Sequence, residues 1–173
     1  MKTLDTPLAR EVQAIMAFGK LVTDDVTYAM VKDRTSRETS GYVLDGYPRT
    51  AVQAEQLEEL AREQGKEIQA VEVAVPKDEL MKRLTGRRSC LICGEIYNIY
   101  SKPPKVEGVC DFHPESKLDH RADDHEEKVK VRLATYDEQT KPLLDFYEKS
   151  GRLKKVDGTG EVEAIYCELE NLI

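Results

Sequence analysis

Two ligand pairs, Cys90-x2-Cys93 and Cys110-x2-His113, stand sixteen residues apart and restrict this chain more than any other feature. Zn2+ takes thiolate and imidazole ligands in a tetrahedron, and each short turn presents two of them. A stretch that brings both pairs together must fold back on itself as a hairpin. The full Cys3His set has no open position for water, so it reads as a structural site rather than a catalytic one. Disulfides fit less well, because three cysteines in the segment leave one unpaired. A redox role also fits less well, since this Cys-x2-Cys lies in a hairpin containing Gly94 and Tyr97 and not at a helix start. Asp111 and His120 stand close enough in sequence to replace His113 as the fourth ligand.

Arginines crowd both sides of the hairpin: Arg83, Arg87 and Arg88 before it, Arg121 after it. A metal-stiffened flap with guanidinium groups at its roots suits closure over an anion. The rest of the chain is acidic, with a net charge of −7 over 173 residues. That balance argues against a broad nucleic-acid or anionic-membrane surface, so the basic residues must act locally. No apolar run approaches the roughly 20 residues of a membrane span. Met1 is followed by a charged, amphipathic stretch with no apolar signal core, which fits a cytoplasmic protein. The length suits one domain, or one domain carrying a small insertion.

Helices and short strands alternate along the chain. Thr6-Pro7 starts a helix with Leu8, Val12, Ile15 and Phe18 on one face, ended by Gly19. Thr23 caps a second helix running to about Arg34. Gly41–Asp45 reads as a strand. Thr50 and Gln53 are spaced as a capping box for a third helix that Gly65 stops. Ala70–Val75 is a buried strand, and Pro76 leads into a short helix to about Thr85. The hairpin spans about Arg87 to His120. A long helix begins at Asp123, with Pro142 breaking or kinking it near its end. Leu153–Val156 is the last strand and Val162–Leu172 the last helix, where Cys167 reads as a core residue. Strands separated by helices imply an α/β fold with a parallel sheet and helices on both faces.

Asp45-Gly46-Tyr47-Pro48-Arg49 follows the expected strand, at the end where open α/β sheets bind ligands. Gly46 permits close backbone approach, and Pro48 stiffens the turn that projects Arg49. A guanidinium there can clamp a phosphate through two hydrogen bonds. An aspartate there can orient Mg2+ or its waters. The same pentapeptide also reads as a simple solvated turn.

In order along the chain stand Gly19-Lys-Leu-Val-Thr-Asp24, Gly41-Tyr-Val-Leu-Asp-Gly-Tyr-Pro-Arg-Thr50 with Gln53, Arg83-Leu-Thr-Gly-Arg-Arg88, Arg121-Ala-Asp-Asp124, Arg132 and Val156-Asp-Gly-Thr159. Together these resemble adenylate kinase of the long bacterial type, whose LID carries zinc. The resemblance implies a three-layer, P-loop-kinase-like CORE sheet over 1–86 and 122–173. It places an AMP-binding helical segment at about 5–35 and a zinc-ribbon LID over 87–121. It implies the reaction MgATP + AMP = 2 ADP by a cytoplasmic monomer needing structural Zn2+ and Mg2+. Neither nucleic acid nor membrane enters.

The resemblance also assigns roles. Lys20, Leu21 and Val22 match the backbone stretch against the AMP adenine. Gly46 and Arg49 match the turn that holds AMP, with Arg49 on its phosphate. Gln53 matches the glutamine that reads the adenine edge, beside its capping-box reading. Arg83 and Arg87 face ATP from the base of the LID, Arg121 and Arg132 converge on the transferred phosphoryl group, and Asp45 positions Mg2+ through water. Gly160 falls where backbone meets the ATP adenine. Asp123 and Asp124 match an acidic pair near the LID hinge, or serve only as charges at a helix start.

The resemblance also implies a phosphate-cradling Gly-x-x-Gly-x-Gly-Lys loop, which these 173 residues do not contain. The expectation is a fragment or misplaced start of a full enzyme, incomplete in its central strands and impaired in turnover as given. The rival readings are a silent AMP-binding remnant and a zinc-ribbon module for nucleic acid or protein.

Overall fold

The computed structural model describes residues 23–172, and the chain divides into two compact units at the Gln69–Ala70 junction. The helix expected over Thr6–Phe18 and the stretch Lys20-Leu21-Val22 lie outside the described residues.

In the first unit, two threonines set where helices begin. Thr23 is extended and its Oγ1 accepts the Val26 N–H at 3.5 Å, starting α1 (Asp24–Thr35). Asp24 and Asp25 fill the first turn of α1, and Lys32 and Arg34 the last, each sign matching the helix dipole. Thr50 does the same for α2 (Ala51–Gln64), accepting the Gln53 N–H at 3.2 Å. Gly65 ends α2 at φ +63°, where its own N–H and that of Lys66 close onto the Arg62 and Ala61 carbonyls. Gln53, Ala54, Leu57, Leu60 and Ala61 form the buried stripe of α2, at the spacing of one helix face. Lys66 lies over the Tyr42 ring and donates to the Glu38 and Ser40 carbonyls, holding the strap between the helices.

The strand expected at Gly41–Asp45 does not form. Extended backbone becomes a strand only when a neighbour takes its N–H and C=O groups. Among the described residues no ladder includes this segment, and Val43 is 73% exposed.

The second unit runs β1 (Ala70–Ala74), α3 (Lys77–Thr85), β2 (Arg87–Cys90), β3 (Ile96–Asn98), β4 (Leu118–Asp119), a 3-10 turn (Ala122–Asp124), α4 (Glu126–Thr135), a π turn (Tyr136–Thr140), α5 (Lys141–Lys149), β5 (Leu153–Asp157) and α6 (Val162–Glu170). β1 and β5 pair in parallel, Ala70 opposite Leu153 and Ala74 opposite Asp157. Helices α5 and α6 pack against β5. The α/β class with a parallel pair and connecting helices therefore holds. β3, β2 and β4 form a separate antiparallel ribbon in that order. The core of this unit is Val129, Leu143, Tyr147 and Val156, with Cys90, Tyr97 and Cys110 clustered against Leu118 in the ribbon.

Three expectations need correction. The helix placed from Asp123 begins instead at Glu126, because Asp123 and Asp124 belong to the 3-10 turn and His125 is extended. Pro142, expected to break or kink that helix near its end, stands instead at the start of a further helix. The wider π turn just before it interrupts the α-helical bonding and accommodates the missing N–H and the ring's bulk, and α5 continues to Lys149. Cys167 is exposed rather than buried. The half-buried face of α6 carries Ile165 and Leu169, one turn apart, and Cys167 lies midway between them on the opposite side.

Candidate metal centre and phosphate-binding residues

The ribbon brings four ligand atoms together. One atom each from Cys90, Cys93, Cys110 and His113 lies within 4.8 Å of the others. Gly94, at φ +75°, turns the chain after the first pair and donates its N–H to the Cys90 carbonyl at 2.9 Å. Cys93 Sγ lies 3.8 Å from Cys110 Sγ, and Cys110 Sγ 3.9 Å from His113 Nδ1. A tetrahedron with Zn–S bonds of about 2.3 Å has S···S edges of about 3.8 Å, so the thiol pair already has the spacing zinc needs. All four cysteines of the chain are free thiols. Of the alternatives to His113, Asp111 accepts the Lys105 N–H at 2.8 Å, and His120 lies outside the cluster and faces His125.

The ribbon also favours ionisation at two of its three sulfurs, Cys90 and Cys110. Backbone N–H groups at Cys93 and Ile92 and the Ser116 hydroxyl lower the Cys90 pKa. Burial pulls Cys110 upward, but hydrogen bonds from Tyr97, Phe112, Cys90 and His113 outweigh it and bring it down to about 7. Cys93 moves the other way: the Glu95 N–H lowers it, but desolvation and the adjoining sulfurs prevail. Tyr97 supports the site from behind, with Oη 3.6 Å from Cys110 Sγ while accepting the Asp111 N–H at 2.9 Å. Burial chiefly, with the Cys110 contact, pushes Tyr97 up to about 12, so it stays a phenol. Sequence inspection assigned Tyr97 no role, and a tyrosine among knuckle residues was the only signal available.

At the ribbon's base the arginines converge on one carboxylate. Asp124 is fully buried and takes two hydrogen bonds from Arg87, Nε to Oδ2 at 2.8 Å and Nη2 to Oδ1 at 2.5 Å. Arg132 Nη1 stands 3.8 Å from the same carboxylate and donates to the Asp123 carbonyl at 3.4 Å. The Arg87 bond chiefly, with the charges of Arg87, Arg121 and Arg132, holds the Asp124 carboxyl below its usual range. Arg87 is correspondingly raised, mainly by its bond to Asp124. Arg121 and Arg132 remain exposed. Asp124 is thus an anionic anchor for cations, not only a helix-start charge.

Arg83 goes elsewhere. Its Nη1 donates to the Gly158 carbonyl at 2.9 Å, and Glu79 pairs with its other amino group. Gly158 itself donates to the Ala74 carbonyl at 2.8 Å, so Arg83 is pinned to the loop beyond β5 that also carries Gly160. Arg88 folds back onto the Thr85 and Arg87 carbonyls.

In the first unit, Asp45 and Gly46 are exposed at the head of the turn, with Gly46 at φ +67°. Arg49 Nε donates to the Gly46 carbonyl at 2.7 Å, which fixes the side chain along the turn. The Thr50–Gln53 box closes differently from expectation. Gln53 Oε1 accepts the N–H of Arg49 at 2.8 Å, one residue before the cap. Gln53 Nε2 donates to Asp24 Oδ1 at 2.7 Å, and Thr50 Oγ1 donates to Asp24 Oδ2 at 3.0 Å. Asp24 joins the two helix starts and had no role in the sequence reading beyond its place in a motif.

The sequence comparisons point one way. The adenylate kinase family profile matches residues 1–152. An adenylate kinase of Thermodesulfovibrio yellowstonii is 47% identical over 164 residues, covering 93% of this chain and 76% of that protein. One from Bacillus subtilis is 44% identical over 172 residues, 98% of this chain and 79% of the relative. One from Staphylococcus aureus is 44% identical over 164 residues, 93% and 76% of the two chains. The match passes through the Arg49 turn, the Cys3His ribbon and the arginine-bound Asp124 alike, and on that basis the chain belongs to the adenylate kinase family and is a phosphotransferase of the nucleoside monophosphate kinase kind.

Proposed function

We propose that this chain carries out reversible phosphoryl transfer between MgATP and AMP, giving two ADP, as a cytoplasmic monomer independent of nucleic acid and membrane. The observation that carries the reading is the gathering of Arg87, Arg121 and Arg132 about Asp124 at the root of the ribbon. Phosphoryl transfer needs little covalent chemistry from the protein. It needs two nucleotides in line and donors for spread-out oxygen charge. Arg121 and Arg132, exposed and held near a buried anion, serve the transferred group. Arg83 and Arg87 serve ATP, whose adenine meets backbone near Gly160. Arg49 holds the AMP phosphate over Gly46, Gln53 reads the adenine, and Lys20, Leu21 and Val22 line it with backbone.

The ribbon over 87–121 acts as a LID whose closure excludes water and strengthens each of these contacts. Cys90, Cys93, Cys110 and His113 would hold Zn2+, which supplies stiffness and no chemistry. Mg2+ bound with ATP would screen its phosphates, and Asp45, whose carboxylate is exposed, would supply an oxygen acceptor for the ion's waters. The sheet belongs to a three-layer CORE with helices on both faces.

The test is ADP formation from MgATP and AMP by the purified chain, beside the same chain joined to a Gly-x-x-Gly-x-Gly-Lys segment. Turnover that requires both nucleotides and falls about 10²-fold in Arg49→Ala supports the reading, since misplacing the attacking phosphate by about an ångström costs roughly that much. No ADP from either form, or equal rates with Arg49→Ala, overturns it.

A further inference from the structure

We infer that Asp24 is a specificity-positioning residue: it locks the Gln53 carboxamide in the one orientation that favours adenine over guanine in the monophosphate. This rests on Gln53 reading the base, as proposed above.

The orientation of a glutamine amide is set by its partners. Here both partners are unambiguous. The Arg49 backbone N–H can only donate, so the atom 2.8 Å away must be the amide oxygen. Both Asp24 oxygens act as acceptors, Oδ2 from the Thr50 hydroxyl and Oδ1 from the group 2.7 Å away, which is therefore the amide nitrogen. Asp24 is itself held by the Thr50 hydroxyl at 3.0 Å. Gln53 is 7% exposed, where a reversed amide would face a donor with its nitrogen and a carboxylate with its oxygen. Both mismatches would be buried and costly.

After those two bonds Gln53 retains one N–H and one oxygen lone pair. Adenine offers a donor at N6 beside an acceptor at N1, and guanine offers the reverse, an acceptor at O6 beside a donor at N1. A freely turning amide can satisfy either edge by flipping. A fixed amide cannot. The lock therefore converts a residue that tolerates both purines into one that distinguishes them.

The bland role for Asp24 is a tether between the starts of α1 and α2, with a favourable charge in the first turn of α1. A tether alone would weaken all nucleotides together. The experiment is calorimetric titration of the chain with AMP and with GMP, read as the ratio of the two affinities. A partly unfolded population lowers both and leaves the ratio intact. The chain is expected to prefer AMP, and Gln53→Ala to abolish the preference. Asp24→Ala is expected to cut the ratio about fivefold or more, a fraction of the roughly 5–150-fold that a bidentate base contact discriminates, because Arg49 N–H still holds the oxygen. An AMP/GMP ratio that stays within about twofold of the unsubstituted chain in Asp24→Ala, while Gln53→Ala loses it, overturns the lock and spares the Gln53 reading. No preference in the unsubstituted chain, or no binding of either nucleotide, overturns the Gln53 reading and the lock with it.

Discussion

Arg87 clasps Asp124 with two parallel hydrogen bonds across thirty-seven residues of chain, joining the first strand of the ribbon to the turn that follows the last. The carboxylate is fully buried and the guanidinium is 28% exposed. This is a fork-on-fork contact, the geometry that makes arginine a poor exchange for lysine. It closes the ribbon at its root, where the resemblance had placed Arg87 only as a contact to ATP.

Removing Arg87 leaves a buried carboxylate with only the weaker, unbonded charges of Arg121 and Arg132 to answer it among the described residues. Arg87→Ala is therefore expected to destabilise the second unit by about 2–3 kcal/mol, less than the ~3–5 of a fully enclosed pair because Arg87 reaches solvent. Urea unfolding followed by circular dichroism measures it. Adding Asp124→Asn to Arg87→Ala should recover part of the loss, since the orphaned charge is then gone. A double variant worse than the sum of the two single changes would contradict the buried-charge account.

The same pair sets an acid limit. The Asp124 pKa is depressed in the folded chain, above all by Arg87. Its contribution is complete above the ordinary carboxylate pKa of about 4 and drains away as pH falls through the lower, folded value. Glu126 and Asp157 are also depressed and add to the overall acid sensitivity. Subtracting the stability of Asp124→Asn from that of the unsubstituted chain isolates the one group. The difference should be flat from pH 7 to about 5 and shrink below about 4. A difference that grows toward low pH would refute the assignment.

Local signals were the legible ones. Thr23, Thr50 and Gly65 each act on backbone within four residues, and the helix boundaries they set lie where the sequence placed them. The four metal-ligand candidates were legible for the same reason, as two short turns with a fixed chemistry. Gly41–Asp45 looked like a strand because its residues favour extended backbone, but pairing depends on a neighbour that local pattern does not encode. Asp124 was ambiguous because its partners, Arg87 and Arg132, follow no helical or strand period relative to it. Asp24 was invisible as a functional group since its contact to Gln53 crosses twenty-nine residues. Cys167 went wrong on a smaller point, the rotation of α6 about its own axis.

Stripping metal with a strong chelator is expected to loosen the ribbon and leave the β1–β5 pair formed. The ribbon's own core is little more than Cys90, Tyr97, Cys110 and Leu118, so its order depends on the four ligands being held together. Hydrogen exchange should show protection lost over residues 87–120 and retained at Val73 and Val156. Titrating Zn2+ back should restore it at one ion per chain. Tyr97→Phe, which removes the hydroxyl between Cys110 Sγ and the Asp111 N–H, should weaken Zn2+ binding about 10–100-fold without changing that stoichiometry. Protection unaffected by chelation would mean that the ribbon stands without metal.

Gly158 tests how tightly β1, β5 and Arg83 are joined. A Cβ there would lie 2.6 Å from Val75 Cγ2, 2.7 Å from Val73 Cγ1 and 3.2 Å from the Ala74 carbonyl. Relief by the valines is limited, because β-branched side chains are stiff at χ1, the Val73 backbone is held in β1 opposite Val156, and the Ala74 carbonyl is bound to the Gly158 N–H. The loop must move instead, and it carries the carbonyl that holds Arg83. Gly158→Ala is expected to cost about 1–3 kcal/mol, the usual penalty for forcing a methyl into a packed site. Gly160→Ala is the control, since its nearest neighbour would be Ile165 Cγ1 at 3.9 Å. It should change stability by no more than about 0.5 kcal/mol. If both substitutions are equally mild in thermal unfolding, the loop after β5 is free to shift and Arg83 is not pinned by it.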